Sequence, residues 1–96
     1  MFILVAYDIC TDTKSGQKRL RRVAQACQRV GQRVQKSVFE CTLDEVRYAG
    51  LVRTLSLIMD KSEDNIRIYC LGEQRPRNIL QLGRSPAVNF EDPLIF

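Results

Sequence analysis

The chain has 96 residues, enough for one domain and not two. Its hydrophobic fraction of 45% is too high for a disordered tail, and the 27% of charged residues exclude an all-apolar membrane protein. The net charge is +4. No histidine is present, which removes the usual general base and every Ser-His or Cys-His arrangement. Any hydrolysis must then use a carboxylate, a metal, or both. Cysteines at 10, 27, 41 and 70 form no C-x-x-C pair, so they read as small buried hydrophobes and not as a zinc site.

Phe2–Tyr7 (F-I-L-V-A-Y) is a continuous apolar run closed by Asp8. It is too short for a helix and does not alternate, so it predicts a central strand buried on both faces. It is also too short to span a bilayer and lacks the basic flank of a secretory signal, which predicts a cytoplasmic protein with no membrane association. Residues 11–16 read as a loop rich in Thr, Asp, Ser and Gly. An amphipathic helix follows over Ser15–Val30, with Ser15 as its cap. Leu20, Val23, Ala24, Cys27 and Val30 share one face, and Lys18, Arg22, Gln25 and Arg29 another. Gly31 suits the left-handed residue that ends such a helix.

Charge is unevenly spread. Residues 14–36 hold Lys14, Lys18, Arg19, Arg21, Arg22, Arg29, Arg33 and Lys36 with no acid among them. That segment carries +8, leaving the remainder of the +4 chain at −4. Solvated helix faces usually mix both signs, so a one-sign stretch of this density points to a polyanion such as RNA or DNA.

Arg33–Leu43 is strand-like, but its apolar residues change face partway. Val34 and Val38 share one parity, Phe39 and Cys41 the other, so two short strands or a sharp bend meet near Lys36–Ser37. A second helix over Asp44–Asp60 buries Tyr48, Leu51, Val52, Leu55, Ile58 and Met59, capped by Thr42 or Asp44 with Glu45 completing a capping box. Asn65–Leu71 predicts another strand, ended by Gly72. Ile79–Leu82 reads as an edge strand, and the apolar end Leu94-Ile95-Phe96 needs a docking place, either a partner's sheet edge or its own core.

The predicted order is β-α-β-β-α-β plus a tail, a single α+β domain over residues 1–96 of the ferredoxin-like kind. Such a fold leaves one sheet face bare. Apolar groups on both faces of 65–71 predict that a homodimer covers it. Two copies of Asp8 apposed by a two-fold axis would form a hard oxygen site for Mg²⁺ or Mn²⁺, able to activate water for phosphodiester cleavage. Asp8 as a simple loop-capping carboxylate is the alternative. Tyr7 either positions a nucleotide or closes the core, and Asp12 is a weaker second acid.

The strand ending in Tyr7-Asp8, the helix segment L-R-R-V-A at 20–24, the block G-Q-R-V-Q-K-S-V-F-E-C at 31–41 and the ending E-D-P-L-I-F at 91–96 resemble the CRISPR-associated Cas-two family over essentially the whole chain. The resemblance implies a ferredoxin-like homodimer whose C-terminal strand crosses to the neighbour. It implies a part in spacer acquisition, as an adaptor held between copies of the CRISPR integrase (the Cas-one family). It also implies a metal-dependent endonuclease of single-stranded RNA or double-stranded DNA. By position, Asp8 would hold the metal, while Tyr7, Arg22, Arg33 and Phe39 match positions tied to activity or nucleic-acid contact. Leu20 stands where some members carry a basic residue. A catalytically silent adaptor and a toxin-like messenger-RNA nuclease of the same fold are the competing functions.

Overall fold

The computed structural model describes residues 1–84. Within them the order is β1 (Phe2–Asp8), α1 (Lys14–Gln28), β2 (Gly31–Gln35), β3 (Val38–Thr42), α2 (Glu45–Ile58) and β4 (Asn65–Cys70). The strands form one antiparallel sheet in the order β2-β3-β1-β4, so each helix carries the chain past a neighbouring strand. This is the ferredoxin-like α+β arrangement that the sequence predicts.

β1 is central because its apolar run has partners on both edges: Val5 faces Phe39 on β3 and Ile68 on β4. Strand alternation sends Ile3, Val5 and Tyr7 toward the helices, where they join Val23, Ala26, Cys27, Phe39, Cys41, Leu43, Leu51 and Leu55 in the core. Leu4, Ala6 and Asp8 point the other way. The residues at 36–37 make the hairpin turn between β2 and β3, and the face change read along 33–43 is two strands meeting there.

Two glycines set close approaches. Gly16 sits in the first turn of α1, where a Cβ would overlap the Cys10 carbonyl oxygen. That contact seats the helix early: Thr13, not Ser15, is the cap, its Oγ1 accepting from the Gly16 N–H at 3.0 Å. Gly31 is not a left-handed helix end. Its φ is not positive, and it lies in β2 where a Cβ would meet the Cys41 sulfur and sit 2.5 Å from the Glu40 carbonyl oxygen. Gly72, at φ 120°, does end the β4 extension as expected, after Leu71 donates to the Phe2 carbonyl at 2.9 Å.

In α2, Asp44 is the cap, accepting from the Arg47 N–H at 2.8 Å. Leu51 and Leu55 are buried, whereas Tyr48, Val52, Ile58 and Met59 are only half-buried. Ile79–Leu82 forms no strand with its own chain. Instead Ile79, Leu80 and Leu82 lie over the helix-free sheet face, lining a cavity of about 300 Å³ with Leu4, Val34 and Val38. Arg75 ties this segment down through Glu40 at 3.0 Å. The expected crossing tail over 85–96 lies outside the described residues.

All four cysteines are free. Burial pushes the Cys27 thiol up to about 12 and the Cys41 thiol up to about 11, so neither is a thiolate at neutral pH. A chromogenic disulfide reagent at pH 8 should therefore titrate exposed Cys70 first and half-buried Cys10 next, with Cys27 and Cys41 reacting only on unfolding. Four fast equivalents in the native protein would contradict this packing.

Candidate functional site

Asp8 ends β1, opposite Asn65 on β4, and its side chain is exposed. Its carboxylate has no hydrogen-bond or ion-pair partner among the described residues. An Asp that merely capped the following loop would accept backbone N–H groups. Here Thr13 and Asp64 accept such bonds, and Asp8 does not. Asp8 is thus a free hard-oxygen donor on the helix-free face of the sheet.

Tyr7 and Phe39 lie on the core side of the sheet. Both are buried, Phe39 completely, and their rings stack at 6.2 Å with 20° between planes. The Tyr7 hydroxyl lies 3.4 Å from the Lys36 carbonyl, a long bond across to the hairpin. Burial pushes the Tyr7 phenol up from its ordinary value, with the Arg33 guanidinium partly offsetting it, so the phenol stays neutral and is no base. Of the two readings of Tyr7, it closes the core. Phe39 at 0% exposure offers no surface to a nucleobase; it carries the Arg33 guanidinium, 5.1 Å above its ring. Arg33 is half-buried and its Nε has no hydrogen-bond partner.

On α1 the basic residues divide. Lys18, Arg21, Arg22 and Arg29 are exposed and pair with no carboxylate among the described residues. Lys18, Arg22 and Arg29 recur at helical spacing and form a ridge along the helix. Arg19 stands apart from them. Its Nε donates to Asp64 Oδ2 at 2.8 Å and its Nη2 to Oδ1 at 3.2 Å, while Nη1 donates to Ser15 Oγ at 3.1 Å. Three of its nitrogens thus already serve its own chain, a pairing that the reading of Arg19 as a phosphate contact did not include.

Asp64 is the residue that sequence reasoning misses. Its side chain is fully buried, and besides Arg19 it accepts the Cys10 N–H at 3.1 Å and the Asp60 N–H at 2.9 Å. Nothing in K-S-E-D-N marks this acid over its neighbours, and its partner lies 45 residues away. Asp12 is exposed and takes only a weak contact, at 3.6 Å, from the Cys10 thiol.

No group of three or more potential metal ligands occurs among the described residues. A lone carboxylate such as Asp8 does not exclude a hard cation such as Mg²⁺. Such cations keep several waters and are commonly held by one or two carboxylates together with substrate phosphate. No helix among the described residues is long and apolar enough to cross a membrane.

A ferredoxin-like domain with an unshielded basic helix and a free strand-end carboxylate defines a nucleic-acid-handling class of protein. The comparisons make this specific. The family described as CRISPR associated protein Cas2 matches residues 1–79, and the chain belongs to that family. It is 45% identical over 96 residues, covering all of both chains, to a protein of Halalkalibacterium halodurans named CRISPR-associated endonuclease Cas2. It is 44% identical over 95 residues, 99% of each chain, to one of Moorella thermoacetica named CRISPR-associated endoribonuclease Cas2 1. The crystal structure of Streptococcus pyogenes Cas2 superposes with a TM-score of 0.77 at 44% identity, over 86% of this chain and 100% of that one.

The Arg19 guanidinium beside Asp64 holds its carboxyl below the usual carboxylate range. A folded value below the unfolded one, about 3.9, means that the pair's contribution is complete above that pH. It is lost as pH falls through the lower folded value. Urea midpoints measured from pH 6 to pH 2 should fall less steeply for Asp64→Asn than for the wild type below about pH 4. Equal slopes would show that Asp64 does not titrate as a paired carboxylate.

Proposed function

We propose that the chain is a metal-dependent endonuclease that works as a homodimer on RNA or DNA, and that it serves spacer acquisition as an adaptor gripped by the CRISPR integrase. The observation that carries the nuclease reading is the exposed carboxylate of Asp8, without a partner among the described residues, on the same small domain as an acid-free basic ridge. Relatives named endonuclease and endoribonuclease support it from outside.

The chemistry divides between two parts of the fold. Lys18, Arg21, Arg22 and Arg29 bind phosphate oxygens and set the strand's path, as sequence-independent contacts do. Asp8 supplies a carboxylate oxygen where the scissile phosphate meets the sheet. A Mg²⁺ or Mn²⁺ held there supplies an acidified water and neutralises charge on the phosphate. No histidine competes for the base role, and Tyr7 is buried and neutral.

On the bare sheet face each chain offers Asp8, and a second copy apposed across that face would supply another Asp8. Leu4, Val38, Tyr69 and Leu71 belong to that face or its border, with Tyr69 and Leu71 exposed, which supports an apolar dimer contact. The lone carboxylate also favours the second reading, a scaffold that binds and does not cut.

Asp8→Ala should lower Mg²⁺-dependent cleavage about 10²-fold or more while leaving nucleic-acid affinity within about twofold. Cleavage unchanged in this variant, over a series of RNA and DNA substrates, would remove Asp8 from the chemistry. Wild-type protein that binds but cuts nothing across metals and pH would select the scaffold. For the ridge, Arg22→Glu should weaken binding to all sequences alike and reduce the slope of log affinity against log salt by about 1 or more. An unchanged slope would remove Arg22 from the interface.

A further inference from the structure

We propose that Arg19 and Asp64 are positioning residues for Asp8, and that Arg19 takes no part in binding phosphate. Arg19 sits in the densest basic stretch of the chain, yet its Nε, Nη1 and Nη2 are all donated to Asp64 and Ser15. Its side chain is only 15% exposed. A guanidinium has five N–H groups in a fixed fork, and a bidentate pair with a buried carboxylate uses the geometry that a phosphate would need.

What the pair holds is the frame around Asp8. Asp64 immediately precedes Asn65, the register partner of Asp8 on β4. Its Oδ1 accepts the N–H of Cys10, two residues beyond Asp8 on the same strand end. Its Oδ2 accepts the N–H of Asp60, at the close of the α2 connection. One carboxylate therefore bridges the two chain segments that flank Asp8, and Arg19 anchors that carboxylate to α1. Asp8 has no side-chain partner of its own among the described residues. The direction of its carboxylate follows from the local backbone, which is held by the strand pairing of Asp8 with Asn65, by buried Ile9 and, at Cys10, by Asp64. The inference rests on the reading of Asp8 as the metal-holding carboxylate.

The test uses the full chain with Arg19→Gln, Arg19→Lys and Asp64→Asn, and with Arg22→Gln as a ridge comparison, at pH 7 where all four are checked for folding by thermal denaturation. Three readouts separate the roles. The salt dependence of binding to a single-stranded RNA and a DNA duplex should keep its wild-type slope in Arg19→Gln and drop by about 1 in Arg22→Gln. Amide hydrogen exchange at Cys10 and Asp60 should speed up at least tenfold in Arg19→Gln and Asp64→Asn, and not in Arg22→Gln. The Mn²⁺ concentration that half-broadens the Asp8 amide resonance should rise about tenfold in the same two variants, with Arg19→Lys restoring part of the loss. This last readout needs no cleavage.

A salt slope lowered in Arg19→Gln as in Arg22→Gln would overturn the proposal, because Arg19 would then be a phosphate contact. Faster exchange at Cys10 with an unchanged Mn²⁺ midpoint would also overturn it, reducing the pair to a purely structural clamp. Wild-type protein whose Asp8 signal Mn²⁺ does not broaden would bring down the metal reading of Asp8 itself. That failure is recognised by its appearance before any substitution is made.

Discussion

One buried carboxylate organises the corner of this domain where its chemistry is expected. Asp64, just before β4, joins the segment after β1, the first turns of α1 and the end of α2 through Cys10, Arg19 and Asp60. Burying a charge is costly unless it is paired and its lone pairs are satisfied, and here four N–H groups meet its two oxygens. Removing one partner of such a pair leaves the other charge uncompensated, which is destabilising. Buried Ile9, between Asp8 and Cys10, ties this corner to the apolar core, and the polar contacts of Asp64 hold the chain around it. Gly16 contributes to the same corner by letting α1 come against the Cys10 carbonyl.

The sequence made the coarse fold legible through its hydrophobic pattern. Phe2–Tyr7 reads as the central strand, which it is, although its Leu4 and Ala6 face is only half-buried; the parity change between Val34/Val38 and Phe39/Cys41 located the hairpin. Finer features were hidden for identifiable reasons. The loop before α1 contains several side chains able to cap, and the winner, Thr13, is decided by a tertiary approach at Gly16 that no local rule encodes. Gly31 has the composition of a helix terminator and is in fact a close-packing site against Cys41. Arg19 looked like its neighbours because charge is visible in sequence and a partner 45 residues distant is not. Tyr7 and Phe39 carried the motif but lie in the core, where Phe39 supports Arg33 and Tyr7 reaches the hairpin.

The bare sheet face connects fold to function. The segment from Arg75 to Arg84 rests over part of it, anchored at Glu40, yet Leu80 and Leu82 remain 73% and 82% exposed. Exposed Leu80 and Leu82, with exposed Tyr69 and Leu71 at the β4 edge, are poorly placed for water and would suit a second copy. The same association would bring two Asp8 carboxylates toward one axis, making dimerisation and the acquisition of a metal site a single event. Binding asks less of the molecule, because the ridge of Lys18, Arg22 and Arg29 is complete within one chain.

The central claim is that the catalytic site is built by two chains. It is tested most directly by following Mg²⁺-dependent cleavage per chain as the protein is diluted through the monomer–dimer equilibrium measured by sedimentation. The account predicts that specific activity falls with the dimer fraction, sharing its midpoint. Activity per chain that stays constant down to concentrations where only monomer sediments would contradict it.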